Sequence, residues 1–333
     1  MDKEGCSSFI YKAFGINTTK EKICITYEYE LANQSIFKHQ IYIIRKDFKL
    51  RPTSSNLIQS MVFNIGMVAL INYLKLNSNT SLIIECLKLD DEQITWWKDF
   101  YSCLLGKTID IKNTCDKSIN LERIIYDDND FSGYIVPLEN KDSCITLETL
   151  NLSRENDFCL ILDDSKDAKK AAELAGFDSK NIIEVIQTWD KKIIEFNYND
   201  NSALIAFIAY FLCYLLSKKY IAVSNGASST EQDKKYGKSF DFENAFRNYA
   251  DKYLPTPIEY FSFLRPLNRF QVAKSFAKLT KYHPLYETNK NSNMITLKLG
   301  TSSINSIKLN SSYYLSQNNL IPEQEFILKK FLL

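Results

Sequence analysis

Two polar stretches have the residue types and order that anion chemistry needs. In PLENKDSCITLETL (137–150), Lys141, Asp142 and Ser143 stand ahead of a helical pattern. A hydroxyl and the unpaired N–H groups of a first helical turn can receive a phosphate there. In VSNGASSTE (223–231), Asn225 and Glu231 border a serine-rich loop, and Glu231 is an acid able to serve as general base or magnesium ligand. Lys238 and Arg265 are candidate cations for a nucleotide or a carboxylate-rich ligand. Arginine offers the two-pronged fork that suits phosphate, and Arg265 lies in an apolar run where a charge needs a partner.

Each of these residues also has a plainer role. A loop that wraps phosphate normally needs glycines, because only glycine takes positive φ freely and lets N–H groups crowd around an anion. Leu138, Glu139 and Asn140 stand in those places. Asp142 or Ser143 can simply cap a helix, with Glu148 exposed. Cys144 at a helix start has the setting of an activated thiol, but an inward-facing packing residue is the preferred reading. Lys238 reads equally as a surface lysine, and Glu231, within STEQDKK, as a solvated acid.

The bulk composition excludes several functions. Forty-one basic residues against 40 acidic ones in 333 give no global field, so nucleic acid and anionic membrane are not expected partners. Two distant histidines, His39 and His283, are too few for a histidine-built metal site or a serine–histidine triad, and no metal-ligand set is expected. Eight cysteines without a C-x-x-C pair read as reduced thiols of a cytoplasmic protein. No apolar leader opens the sequence. The apolar run ALIAFIAYFLCYLL (203–216) is shorter than the roughly 20 residues a spanning helix requires, and reads as a buried core helix. In the tryptophan pair at 96 and 97 only one ring can face a core fully, so helix packing is expected there.

These residues need elements to hold them. ICITYEYEL (23–31) and HQIYII (39–44) alternate as a β-hairpin, residues 57–75 have helical spacing, and SLIIECL reads as a strand. Asp90 or Asp91 caps a helix carrying Ile94, Trp97, Tyr101 and Leu104 on one face. Strands YIVPL, FCLILDD, IIEVIQ and YIAVSN then alternate with helices, one of them closed by Gly176. Such alternation predicts an α/β fold with a doubly wound, mostly parallel sheet, whose ligands sit at the carboxyl ends of the strands. Glu139 to Ser143, Asp163, Asp164 and Ser224 to Glu231 lie at such ends. The expected organisation is a β-hairpin and α/β portion at 1–119, an α/β domain at 120–289 and an irregular segment at 290–333.

Several separated stretches together resemble the MurL family. They are FNIGMVALINYLK, LDDEQITWWKDFYSCLLG, KDSCITLETL, VSNGASSTE, YGKSFDFE and YFSFLRPLNRFQVAK, covering about Ile23 to Asn289. The resemblance implies a PP-loop (adenine nucleotide alpha hydrolase-like) fold. It also implies ATP-dependent epimerisation of UDP-N-acetylmuramoyl-L-alanyl-L-glutamate in peptidoglycan precursor synthesis, through adenylation of the terminal glutamate carboxyl. ATP and Mg2+ are the implied cofactors, and a UDP-muramoyl dipeptide or another carboxylate the implied substrate. Lys141, Asp142, Ser143 and Arg265 are then cofactor-binding residues, and Asn225, Glu231 and Lys238 catalytic ones.

The family pattern is incomplete here. Leu138, Glu139 and Asn140 replace the glycine-rich turn, Gly226 replaces an acid, Asp233 to Lys235 replace an asparagine–histidine–glutamine run, and Arg269 replaces a glutamate. Apolar positions persist while polar ones change. This favours a diverged or catalytically silent member. The alternative to an epimerase is a non-catalytic relative that keeps the fold to bind a protein partner or small ligand.

Overall fold

The computed structural model describes residues 7–31, 36–48, 55–74, 80–119, 130–188, 201–227, 236–254 and 256–286. Ten strands make one sheet: β1 (Ser7–Thr18), β2 (Lys22–Leu31), β3 (Ile36–Ile44), β4 (Thr80–Ile84), β5 (Asp110–Asn113), β6 (Tyr134–Pro137), β7 (Phe158–Leu162), β8 (Ile182–Thr188), β9 (Tyr220–Val223) and β10 (Glu259–Ser262). Their order is β10-β9-β6-β7-β8-β3-β2-β1-β4-β5. Parallel pairing joins β10 to β9, β9 to β6, β6 to β7 and β7 to β8, and again β1 to β4 and β4 to β5. Antiparallel pairing joins β8 to β3, β3 to β2 and β2 to β1. The sheet is therefore mixed and mostly parallel, and it continues through β3 and β8 across the expected boundary at residue 119.

The expected hairpin is present as β2 and β3, but it is the middle of a four-stranded antiparallel run, β8-β3-β2-β1. The extra strand, β1, hides from a period-two reading because its register slips between Tyr11 and Ala13. The four-residue edge strand β5 carries too little pattern to be read.

The parallel block is doubly wound. From β6 the chain steps through β7 to β8 on one side, then returns to lay β9 and β10 on the other. Its helices are α4 (Ser143–Thr149), α5 (Lys166–Leu174), α6 (Ser202–Leu215), α7 (Phe240–Tyr253) and α8 (Arg269–Ala277). Alternate strand residues feed two apolar layers. Ile135, Leu160, Ile183 and Ile221 pack with α6 and α7, whereas Val136, Cys159, Ile182 and Ala222 pack with α4, α5 and α8. All 14 residues of α6 are buried, so this apolar helix is a core element as its length predicts. Among the described residues no helix is long and apolar enough to cross a membrane.

The N-terminal helices are α1 (Ser55–Ala69), α2 (Ile71–Leu74) and α3 (Asp91–Leu105), and a last turn, α9 (His283–Tyr286), follows α8. Asp90 and Gln93 form a capping box at the start of α3, with Trp97 and Tyr101 buried beneath. Trp97 is fully buried and Trp96 only partly, as adjacent helical positions require. Helix α1 lies on β1 and β2 so closely that tyrosine hydroxyls reach its backbone. Tyr27 donates to the Val62 carbonyl at 3.1 Å, Tyr29 to Gly66 at 2.8 Å, and Tyr101 of α3 to Met67 at 2.7 Å. The segment 290–333 lies outside the described residues.

Candidate functional site

In a doubly wound sheet the crevice opens where neighbouring strands send their connections to opposite faces. Here that point lies between β6 and β9, and most of the polar residues singled out in the sequence surround it. The loop after β6 runs Leu138 to Asp142 into α4. The segment after β9 is Ser224, Asn225 and Gly226. The two sides are clipped together by Thr146 of α4, whose hydroxyl meets that of Ser224 at 2.7 Å.

Glu139 holds the centre. Its carboxylate accepts a hydrogen bond from the Ser202 hydroxyl at the first residue of α6, at 2.9 Å, and pairs with Lys238 Nζ at 2.8 Å. Lys238 sits in a single 3-10 turn (Tyr236–Lys238) ahead of α7. It is thus an ion-pair partner inside the crevice rather than a solvated surface lysine. The sequence pointed to Glu139 only as a residue standing where a phosphate loop has glycine, and the partners that keep it there lie far away in the chain.

Loop amides are engaged locally. Ser143 Oγ accepts from the Glu139 amide at 3.3 Å, and Asn140 Oδ1 accepts from the Asp142 amide at 2.8 Å. The amides of Ser143 and Cys144 donate to the carbonyls of Asn140 and Lys141. Asp142 occupies the helix N-cap position without a side-chain cap bond, so Asn140 performs the local satisfaction expected of Asp142 or Ser143. Ser143 and Cys144 are buried, and Cys144 packs as the plainer reading expects. Glu148 is tied to Lys281 and Tyr282, not left free in solvent.

The Asp142 carboxyl is pushed above its usual range by burial, against the pull of Lys141, Lys238 and Arg269. Arg269 thereby joins the cations around Asp142. Lys141 also reaches the ring of Phe276, at 5.7 Å.

Arg265 is buried and its charge is met inside the protein. It donates to Glu243 Oε2 through two nitrogens, to Ser262 Oγ at 2.9 Å and to the Gly226 carbonyl at 3.2 Å. Glu243, fully buried in α7, is gripped from its other oxygen by Arg247. Arg265 therefore braces the segment after β9 from beneath. Asn225 is different: it is 6% exposed and its side-chain Nδ2 has no hydrogen-bond partner. Glu231 and Ser228 lie outside the described residues.

At the end of β7, Asp163 and Asp164 both adopt positive φ, 56° and 51°, a conformation that aspartate tolerates better than most residues. Burial raises the Asp163 carboxyl above its usual range, against hydrogen bonds from Gln187. Among the described residues no cluster of histidine, cysteine, aspartate or glutamate could hold a metal ion. A triphosphate here would need the cations around Asp142, namely Lys141, Lys238 and Arg269. The loop in this form does not fit one, because four amides are already engaged and a carboxylate lies among the cations.

Comparison with known proteins identifies the family. The family model of the MurL N-terminal domain matches residues 1–263. The UDP-N-acetyl-alpha-D-muramoyl-L-alanyl-L-glutamate epimerase of Xanthomonas oryzae pv. oryzae (strain MAFF 311018) is 25% identical over 158 residues. That alignment spans 43% of this chain and 34% of the relative, so the chain covers about a third of the relative's length. No solved structure matches.

Proposed function

The chain belongs to the MurL N-terminal domain family, and from that premise we propose that it is a diverged MurL-like protein. The chemistry of its line is the ATP-dependent epimerisation of a terminal L-glutamate, through an acyl-adenylate, on a peptidoglycan precursor, and it runs here weakly or not at all. The observation that carries this reading is the Glu139 carboxylate, 2.8 Å from Lys238 in the crevice between β6 and β9.

The strand order of the parallel block supports a PP-loop-like fold, because it places one loop-to-helix junction and one strand end at a shared switch point. In the active form of the reading, Lys141, Asp142, Ser143 and Arg265 attend ATP and Mg2+. Asn225, Glu231 and Lys238 attend a carboxylate substrate of the UDP-muramoyl dipeptide class. The engaged loop and the internally paired Arg265 favour impairment over turnover, and no catalytic step is derived through a nucleotide. The second reading, a non-catalytic protein that uses the fold to bind a partner, draws on the same observations. Either form is placed in the cytoplasm, without nucleic acid or membrane partners.

A calorimetric ATP titration tests the proposal, together with pyrophosphate release in the presence of UDP-N-acetylmuramoyl-L-alanyl-L-glutamate. The expected result is ATP affinity no tighter than the millimolar range and no pyrophosphate above background. Substrate-dependent pyrophosphate release over many turnovers would overturn impairment and leave the epimerase.

A further inference from the structure

We infer that Glu139 is a built-in, displaceable anion: it occupies the position of a ligand's phosphate or carboxylate, and Asn225 Nδ2 is a donor satisfied only when that ligand replaces it. This rests on the reading of the β6–β9 crevice as a ligand site and names how access to it is controlled.

Three observations support it. First, the carboxylate has the partners an external anion would have, a lysine ammonium and a hydroxyl at the start of the 14-residue helix α6. A helix N-terminus and a cation together favour negative charge. Second, Asn225 is more than nine-tenths buried with an unpaired amide nitrogen. Orphaned buried donors are rare in folded proteins because the desolvated group recovers nothing for the water it has lost.

Third, register and alternation, continued past the strand ends, set the two residues on the same side of the sheet. Ile135 of β6 pairs with Ile221 of β9, and counting on along that register sets Glu139 opposite Asn225. Ile221 and Val223 point into the layer with α6 and α7, while Ser224 points the other way, to Thr146 of α4. Alternation returns Asn225 to the α6 side, where Ser202 and Lys238 hold Glu139. The loop thus leaves a donor unmet beside an anion that belongs to the chain. An incoming anion gains Lys238, Ser202 and Asn225 once Glu139 swings out, and Glu139 gains water.

The test uses inorganic pyrophosphate as probe, titrated calorimetrically into the full chain. Glu139→Gln keeps the shape and the hydrogen bond from Ser202 but removes the charge. It is expected to bind pyrophosphate at least tenfold more tightly than the wild type, and Glu139→Gln/Asn225→Leu is expected to lose most of that gain. Equal affinity in wild type and Glu139→Gln, or no binding by either, overturns the inference. So does a gain that survives Asn225→Leu, as far as the role of Asn225 is concerned. If Glu139→Gln fails to fold, Glu139→Ala removes the carboxylate and leaves Ser202 and Lys238 in place, and a gain of at least tenfold is expected; no gain overturns the inference.

ATP separates the two readings. A Glu139→Gln protein that binds pyrophosphate but not ATP keeps the displaceable anion and defeats the adenine-nucleotide reading. A wild type that binds ATP at micromolar concentration does the reverse.

Discussion

The guanidinium of Arg265 meets the carboxylate of Glu243 at 3.3 Å, with side-chain exposures of 3% and 0%. A charge buried this deeply depends on its partner, and removing one member of such a pair typically costs about 3–5 kcal/mol. Arg265→Met is expected to lower unfolding free energy in urea by about 3 kcal/mol. Arg265→Met/Glu243→Met is expected to recover part of that loss, since Arg247 is 22% exposed and can turn to solvent. A single variant within about 0.5 kcal/mol of wild type, the range of ordinary surface changes, would mean that Arg265 is not bracing the segment after β9.

The hydroxyls of Thr146 and Ser224 clip the two sides of the crevice at 2.7 Å in a buried setting. Thr146→Val and Ser224→Ala each leave one buried hydroxyl or gap unpaired, at about 1–2 kcal/mol. The double variant is expected to fall short of the sum by about 1 kcal/mol, as residues in contact do. Strict additivity in a double-mutant cycle would show that the contact contributes nothing.

Gly66 lies where α1 crosses the sheet. A Cβ there runs into the Tyr11 hydroxyl, and meets Tyr11 Cζ and Tyr27 Cδ1 at 2.7 Å. Gly66→Ala gains up to about 1 kcal/mol of helix propensity. Overpacking two fixed rings outweighs it, for a net loss of about 1–3 kcal/mol by thermal or urea unfolding. Tyr11→Phe in the same background relieves the shortest contact and restores part of the loss.

His39 is fully buried between Tyr27 and Tyr73, and burial lowers its pKa from 6.5 to about 3. Between those values the unfolded chain takes up a proton that the folded chain does not. Stability is therefore lost as pH falls below 6.5, at up to about 1.4 kcal/mol per pH unit from this group, and the loss ends near pH 3. His39→Phe should show a flatter dependence than wild type between pH 6.5 and 4 in urea titrations. Parallel curves would place the acid sensitivity elsewhere.

The parallel block was legible because each strand there is a short apolar run followed by a helix, and the residues at strand ends could be named from that alone. Ser143 opens the helix after β6 and Asn225 follows β9, and the Thr146–Ser224 contact links these two strand ends. What the residues did not reveal were partners brought together by the fold. Lys238 and Glu139, or Arg265 and Glu243, are separated by intervening elements, and no local spacing signals them. Arg265 between Leu264 and Pro266 did announce a buried partner, but not its identity. Strand β1 was lost to a bulge, and β5 to its brevity. The strained turn at Asp163 and Asp164 leaves no mark in composition beyond two residues that tolerate positive φ.

The pairing of β3 with β8 has a consequence for synthesis. Ile44 finds its neighbour Glu184 roughly 140 residues later in the chain. At ribosomal rates of about 5–20 residues per second, the outer edge of β3 waits on the order of ten seconds for β8 to emerge. During that interval β2 can already pair with β3 and β1 with β2, since all three are consecutive, but a row of unpaired backbone groups faces the cell. Such an open edge is a template for pairing with another chain until β8 covers it.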